Sequence, residues 1–390
     1  MAIVLNRLLN IGSPPPLSLI DVMAPLRFRH HEGRSITFFI KSGANYLVGN
    51  LKAAVLHAVG DIRCEEVPEP EIEDNEVLLK VRACGVCGTD VHFLHGEWTV
   101  NMPLIPGHEF SGEIAETGRD VEIVEEGDKV SVDPNVVCGV CKNCRRTERS
   151  YLCSNISAIG VDVNGAFAEY VKAPEEVVYK LPRHVDFETG AMSEPVGCAI
   201  RGFDNTRTDL GDTLVIIGMG PMGLILEQLG LMQGAAKVIA IEPIEGRRRM
   251  AEKLGASRTI DPRTEDVEAA INEETDGNGP EVVFEAVGSA STIEMALGIA
   301  GRGARVNLFG VAPETDVLKV KPFMLYDKEL EISASYRDPF TFDRAIQLLA
   351  NGRIDVKSLI TDRFPLPKIE DAFRTFEERK DKSIKLMVTP

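Results

Sequence analysis

The sequence predicts an α/β protein in which a β-rich domain is interrupted by a doubly wound, parallel-sheet domain. Three observations predict it. Cys138, Cys141, Cys144 and Cys153 crowd into one short loop with the spacing C-x2-C-x2-C-x8-C. A glycine-rich turn, Gly218-Met219-Gly220-Pro221-Met222-Gly223, joins an apolar strand to a helix. The patterning also changes along the chain, from short strands with Gly/Pro turns to strands alternating with helices, which implies a parallel sheet covered on both faces.

The first strands are expected at Lys52–Leu56 and Glu76–Cys84, separated by the Pro- and Glu-rich connection Val67–Asn75. Strand-and-turn style continues to about Pro182, with polar and apolar residues alternating at Lys129–Val132 and Phe167–Val171. A helix is expected over Phe187–Phe203. Past Leu210 come the strand Thr213–Ile217, the helix Gly223–Gly234, the strand Lys237–Ile241 and the helix Gly246–Leu254. Strands at Glu281–Ala286 and Ala304–Leu308 follow, with a helix around Thr292–Ala300 between them. After Tyr336 one more helix, Phe340–Asn351, leads into mixed structure to Pro390. The expected domains are a first catalytic part over 51–196, a Rossmann-type dinucleotide domain over 197–336 and a second catalytic part over 337–390.

Residues 1–50 differ in composition from the rest. They hold five basic residues against two acidic ones, and Ser13-Pro14-Pro15-Pro16 forbids a continuous helix. A disordered N-terminal extension is expected there. A targeting leader, or a start assigned too early, are the other readings of the same composition. The whole chain of 390 residues has a formal charge of −17, which argues against nucleic acid and anionic membrane as partners. No apolar run reaches the roughly 18 residues that span a bilayer. Clustered thiols without a secretory signal point to the cytoplasm.

The cysteine loop has too few apolar residues to form its own core, so a metal is its plausible organiser. Four thiolates in this spacing suit one tetrahedral structural Zn²⁺ rather than two disulfides. In the glycine-rich turn, Gly218 serves the tight bend, Gly220 the approach of a pyrophosphate, and Gly223 the close packing of helix and strand. Glu242, at the end of the second strand, suits a ribose 2′-hydroxyl and disfavours a 2′-phosphate, so NAD is expected over NADP. Arg247, Arg248 and Arg249 follow closely and fit either a phosphate or a solvated helix start.

A reactive metal needs ligands that leave one position open. Cys87 and His108 supply a thiolate and an imidazole, a pair that suits Zn²⁺. Glu194 can close a third position, and Cys198, one helical turn further on, is its rival. Three protein ligands plus substrate or water is the pattern of catalytic zinc. Alone, each residue has an ordinary structural explanation. Their coincidence with a zinc loop and a dinucleotide turn favours the metal.

Several of these segments resemble one family. Gly107-His108-Glu109-Phe110-Ser111-Gly112 followed by Gly118 is similar to the zinc signature of the medium-chain alcohol dehydrogenases. Cys84–His92 (C-G-V-C-G-T-D-V-H), Glu126-Gly127-Asp128-Lys129-Val130, the cysteine loop and the glycine turn stand in the family's order. The resemblance covers about Leu51 to Pro390. It is closest to the sorbitol (polyol) and threonine dehydrogenase branch, which carries Glu-Pro where Glu194-Pro195 stands. It implies a GroES-like catalytic domain, two Zn²⁺ per chain and an NAD-linked oxidation of a secondary alcohol, polyol or sugar. It also implies a homotetramer.

By the same matching Cys87, His108 and Glu194 hold the catalytic zinc directly or through water. Glu109 becomes an alternative or supporting ligand, Thr89 and His92 the hydroxyl contact and proton exit, and Arg337 a substrate or cofactor contact. The cysteine loop is one residue longer than the family's usual spacing, and residues 1–50 have no counterpart. A zinc-free quinone or enone reductase, or a non-catalytic zinc- and nucleotide-binding redox module, are the competing readings. Gly96–Pro106, with Trp98, is expected to line the pocket.

Overall fold

The computed structural model describes residues 26–29, 35–41 and 44–390, apart from Pro339 and Lys380. The chain divides into two compact units, Met1–Asn50 and Leu51–Pro390. In the first, the strand Leu26–Arg29 pairs antiparallel with Ser35–Lys41, which pairs in turn with the start of Ala44–Ala58. Composition did not suggest strand pairing there. The rest of the extension expected to be disordered, including Ser13–Pro16, lies outside the described residues.

In the second unit the β-rich part is a seven-stranded sheet centred on Glu76–Val86. Glu109–Thr117 and Tyr170–Pro174 flank that strand antiparallel, and Lys129–Val132 and Val178–Lys180 extend the sheet outward. Its other side is closed by the last strand of the chain. Lys385–Thr389 pairs antiparallel with Glu76–Val86, placing Met387 opposite Gly85, and Ile360–Pro365 pairs parallel with it. The two ends of this unit therefore share one sheet, and the segment between them is inserted.

The insertion is a six-stranded parallel sheet. Its spatial order is Arg258–Ile260, Lys237–Ile241, Thr213–Ile217, Val282–Glu285, Arg305–Leu308, Glu331–Ala334. Numbered along the chain this is 3-2-1-4-5-6, the doubly wound dinucleotide-binding order. Its switch point lies between Thr213–Ile217 and Val282–Glu285, where such sheets bind ligands. The apolar runs that read as buried strands are buried on both faces: Leu214, Val215, Ile216, Val238, Ile239, Phe284 and Val306 are all fully enclosed. One core cluster covers each face.

Three differences from the sequence reading matter for the site. The expected helix Phe187–Phe203 is two helices, Phe187–Ala191 and Ser193–Asn205, which meet at Met192. The second therefore starts one residue before Glu194 and aims that side chain from a first turn. A helix Gly88–His95 follows Cys87, where no apolar periodicity signalled one. The strand Glu331–Ala334 and the helix Val267–Glu274 also went unread, being short and largely polar.

The helix Ser193–Asn205 packs on the parallel sheet through Phe203, whose ring centroid lies 4.7 Å from that of Phe284. Replacing Phe284 with Ala removes a fully buried ring and leaves a cavity, so unfolding free energy falls by about 3–5 kcal/mol in urea denaturation. A loss below about 1 kcal/mol would contradict this packing.

Candidate active site

Cys87 stands at the N-terminus of the helix Gly88–His95, in extended conformation (φ −104°, ψ 156°). Its backbone N–H donates to Asp90 Oδ2 at 2.9 Å. The other oxygen of Asp90 accepts the Gly107 N–H at 3.3 Å and lies 3.5 Å from His108 Nδ1. Asp90 is 1% exposed and ties the two ligand-bearing segments together. Asp90 lies within the segment Cys84–His92, where family resemblance gives it no role. The C-x-x-D spacing at a helix start was the available signal.

Ligand atoms of Cys87, His108 and Glu109 all lie within 4.8 Å of one another. Burial opposes a charge on His108, but Asp90 and the Cys87 thiol outweigh it and raise the imidazole well above its ordinary value. The pocket thus favours positive charge between these groups, and a cation coordinated by thiolate and neutral imidazole satisfies the same demand. Glu109 is ion-paired with Lys385, and both are buried. Lys385 also donates to the Val86 carbonyl at 3.0 Å. Nothing in the sequence marked Lys385, which reaches Glu109 only because the last strand returns beside Glu76–Val86.

Glu194 belongs to a neighbouring group. Its carboxylate clusters with Cys198 and Asp338, again within 4.8 Å, and Cys198 Sγ lies 3.4 Å from Glu194 Oε1. Burial pushes Glu194 up to about 7. The three expected ligands Cys87, His108 and Glu194 therefore do not form one tight triad. They do line one cavity of about 330 Å³. Thr89, His92, Trp98, Glu109, Cys198 and Arg337 line it too.

Thr89 Oγ1 is 3.6 Å from Cys87 Sγ. His92 Nδ1 meets Glu97 at 2.5 Å, with about a third of the histidine side chain exposed. Arg337 gives one N–H to Asn135 Oδ1 at 2.8 Å and another to the Tyr336 hydroxyl at 2.9 Å. Asn135 in turn donates to Asp338 Oδ1 at 2.6 Å, a contact the sequence could not signal because the two stand 203 residues apart.

The inserted domain contributes Met222, from the helix Pro221–Gln233, and Ala286, Val287 and Phe309–Val311, from just past two of its strands, to the same cavity. Gly218 has a φ of +93°, and a Cβ on Gly223 would stand 1.9 Å from the Gly218 carbonyl oxygen, so the turn tolerates glycine alone. Gly220 caps the helix Pro221–Gln233 at its N-terminus, the kind of end that binds phosphate groups. Glu242 is 3% exposed and accepts the Met219 N–H at 2.8 Å and the Ile244 N–H at 2.9 Å. Arg247 Nη1 lies 4.0 Å from the Glu242 carboxylate. Its Nε is buried without a hydrogen-bond partner.

The other metal candidate is also assembled. The Sγ pairs Cys138–Cys153, Cys141–Cys144, Cys141–Cys153 and Cys138–Cys144 are 3.4, 3.5, 3.9 and 4.0 Å apart. Four Zn–S bonds of about 2.3 Å in a tetrahedron separate sulfurs by about 3.8 Å. The backbone N–H groups of Cys138, Cys144 and Asn155 point at these sulfurs. Donors from the backbone pull Cys141 down to about 5, while burial and neighbouring thiols push Cys144 up to about 12. The donor set fits one zinc ion.

Residues 73–183 match the alcohol dehydrogenase GroES-like domain, and residues 221–351 match the zinc-binding dehydrogenase domain. The chain belongs to the zinc-dependent medium-chain alcohol dehydrogenase family. A sorbitol dehydrogenase of Bacillus subtilis is 34% identical over 348 residues, covering 87% of this chain and 98% of that one. An L-threonine 3-dehydrogenase of Caldanaerobacter subterraneus is 36% identical over 317 residues, covering 80% and 90%. The crystal structure of a putative zinc-binding dehydrogenase from Sinorhizobium meliloti, bound to NADP, superposes with a TM-score of 0.84 at 36% identity, covering 87% of this chain and 99% of that one. This member of the polyol and threonine dehydrogenase branch is thus an NAD(P)-linked oxidoreductase acting on the CH–OH group of a small molecule. Among the described residues no helix is long and apolar enough to cross a membrane.

Removing Lys385 strands the Glu109 carboxylate without its counter-ion. Lys385→Met costs about 3–5 kcal/mol of unfolding free energy, measured by denaturant titration of metal-depleted protein. Adding Glu109→Gln to that variant recovers most of the loss. Equal stability of the single and double variants would show that the pair contributes nothing.

Proposed function

We propose that this dehydrogenase oxidises a secondary hydroxyl of a polyol, sugar or amino-alcohol, with NAD as preferred acceptor and Cys87, His108 and Glu194 holding the catalytic zinc. The observation that carries this reading is the single cavity lined both by those donors and by the residues at the switch point of the parallel sheet. When bound, zinc supplies a Lewis acid for the substrate hydroxyl and the nicotinamide supplies a hydride acceptor.

The chain's own residues do the rest. Thr89, beside Cys87, is placed to accept the proton of the substrate hydroxyl. His92, on the next turn of the same helix and partly exposed, carries it outward, with Glu97 holding the ring. Asp90 fixes the directions of Cys87 and His108. Lys385 neutralises Glu109, which keeps that carboxylate as a supporting group. Trp98, Val287 and Phe309 supply apolar walls that exclude water around the reacting carbon. Arg337 offers N–H groups to a further substrate oxygen, which favours substrates with several polar groups.

The preference for NAD rests on Glu242, a buried carboxylate at the end of the second strand beside the glycine turn. A 2′-phosphate brought there meets like charge. Arg247, over Gly220, suits the pyrophosphate that both cofactors share. The unpaired thiols of the cysteine loop suit the cytoplasm. Exposed Phe323, Tyr326, Ile332 and Phe340, near or on the outermost parallel strand, support the homotetramer that the family resemblance implies.

Replacing Cys87 with Ala lowers kcat/KM by at least about a thousandfold, because a position in the metal's donor set is lost. NADH binding, followed by its fluorescence, stays within a few-fold of wild type. Undiminished turnover would overturn the metal assignment, and a metal-free active wild type would favour the zinc-free reductase reading. Glu242→Ala lowers the NAD-to-NADP ratio of kcat/KM by about 10- to 100-fold, the loss of one or two charge-assisted hydrogen bonds to ribose. An unchanged ratio would refute the role of Glu242.

A further inference from the structure

The helix Ser193–Asn205 carries Glu194 and, one turn on, Cys198, with Cys198 Sγ 3.4 Å from Glu194 Oε1. Asp338, from the segment after the outermost parallel strand, reaches the same point, and ligand atoms of all three lie within 4.8 Å of one another. Asp338 is 0% exposed. Its Oδ1 accepts the Asn135 amide at 2.6 Å, but its Oδ2 is buried with no hydrogen-bond partner. That free oxygen points at the helix. A Cβ on Gly197 would stand 3.0 Å from it, so glycine at this turn leaves the carboxylate its room. The Arg337 guanidinium is engaged with Asn135 and Tyr336, and the Thr341 hydroxyl with the Asp338 backbone carbonyl.

Asp338 is buried and Glu194 and Cys198 are half-buried, so these two carboxylates and a thiol carry a desolvation cost unless protons or a cation neutralise them. One thiolate with two carboxylates is a donor set for a borderline divalent ion, Zn²⁺ above all. Glu194 and Cys198 line the cavity, so an ion entering the active site reaches them.

We propose that Glu194, Cys198 and Asp338 form a second divalent-cation site, adjoining Cys87 and His108 and sharing Glu194 with them. The inference touches the catalytic reading only through that shared carboxylate. Because the carboxylate is common, the two donor sets hold one ion between them. The second set is a deeper position that the ion occupies when the first is lost.

The test uses the full chain, dialysed against zinc and then against buffer, with zinc counted by elemental analysis. Wild type is expected to hold about two ions per chain, one of them in the four-cysteine loop. Cys87→Ala/His108→Ala is expected to keep about two, and adding Cys198→Ser and Asp338→Asn to drop the count to about one. A Cys87→Ala/His108→Ala variant already at about one ion overturns the proposal. Should the fourfold variant fail to fold, Cys198→Ser alone in the double-variant background answers the same question. In the cobalt-substituted protein it removes part of the thiolate–Co²⁺ charge-transfer absorbance, and an unchanged spectrum overturns the site. Failure of the catalytic reading looks different: a wild type that turns over fully with only the loop's metal.

Discussion

Neutralisation of buried negative charge at one junction governs this structure. Glu109, Glu194, Asp338 and the thiols of Cys87 and Cys198 gather where the β-rich sheet meets the parallel sheet, Glu109 and Asp338 buried and the other three half-buried. Carboxylates and thiolates removed from solvent persist only with counter-charges or protons. Lys385 provides one counter-charge outright. Burial raises Glu194, Cys198 and Asp338 and so favours their neutral forms, while at His108 burial is outweighed by Asp90 and the Cys87 thiol, which favour the imidazolium. Each domain brings donors that the other must complete, so the fold's closure and the site's charge balance are one condition.

The topology explains how that condition is met. Cys87 follows the central strand of the β-rich sheet, His108 precedes its neighbour and Glu109 opens it, and Lys385 opens the strand on the other side. Three consecutive places in one sheet are thereby brought to a common edge. Glu194 and Cys198 come from the helix that leads into the parallel sheet. Asp338 and Arg337 come from the segment that leaves it. The entry and exit of the insertion thus border the cavity, and the switch point supplies its far wall. The residues that line it stand largely on helices and strands or next to their ends, which fixes their positions.

The cysteine loop is a separate case of the same chemistry. It lacks an apolar core, and its sulfurs stand at separations that suit a tetrahedral ion. The extra residue, within 145–152 between Cys144 and Cys153, leaves the four sulfurs together, and a short 3₁₀ turn, Thr147–Leu152, spans most of that stretch.

What the sequence determined by itself was whatever depends on local spacing. Alternating and continuous apolar runs fixed both sheet types, since burial on one or two faces leaves a periodic record. The glycine turn and the four-cysteine spacing were legible because each is one contiguous segment whose geometry follows from residue type. Cys87 and His108 were legible as donors only through their coincidence with those two segments, and Glu109 only through the family resemblance. Tertiary structure alone decided the pairings between distant segments. Lys385 meets Glu109 across the sheet, Asp338 meets Cys198 and Glu194 across the insertion, and Asp90 ties Cys87 to His108. It also decided that Glu194 sits with Cys198 and Asp338 rather than tightly with Cys87 and His108. Such contacts arise from how two sheets close on each other, and no short-range pattern in the chain encodes that closure.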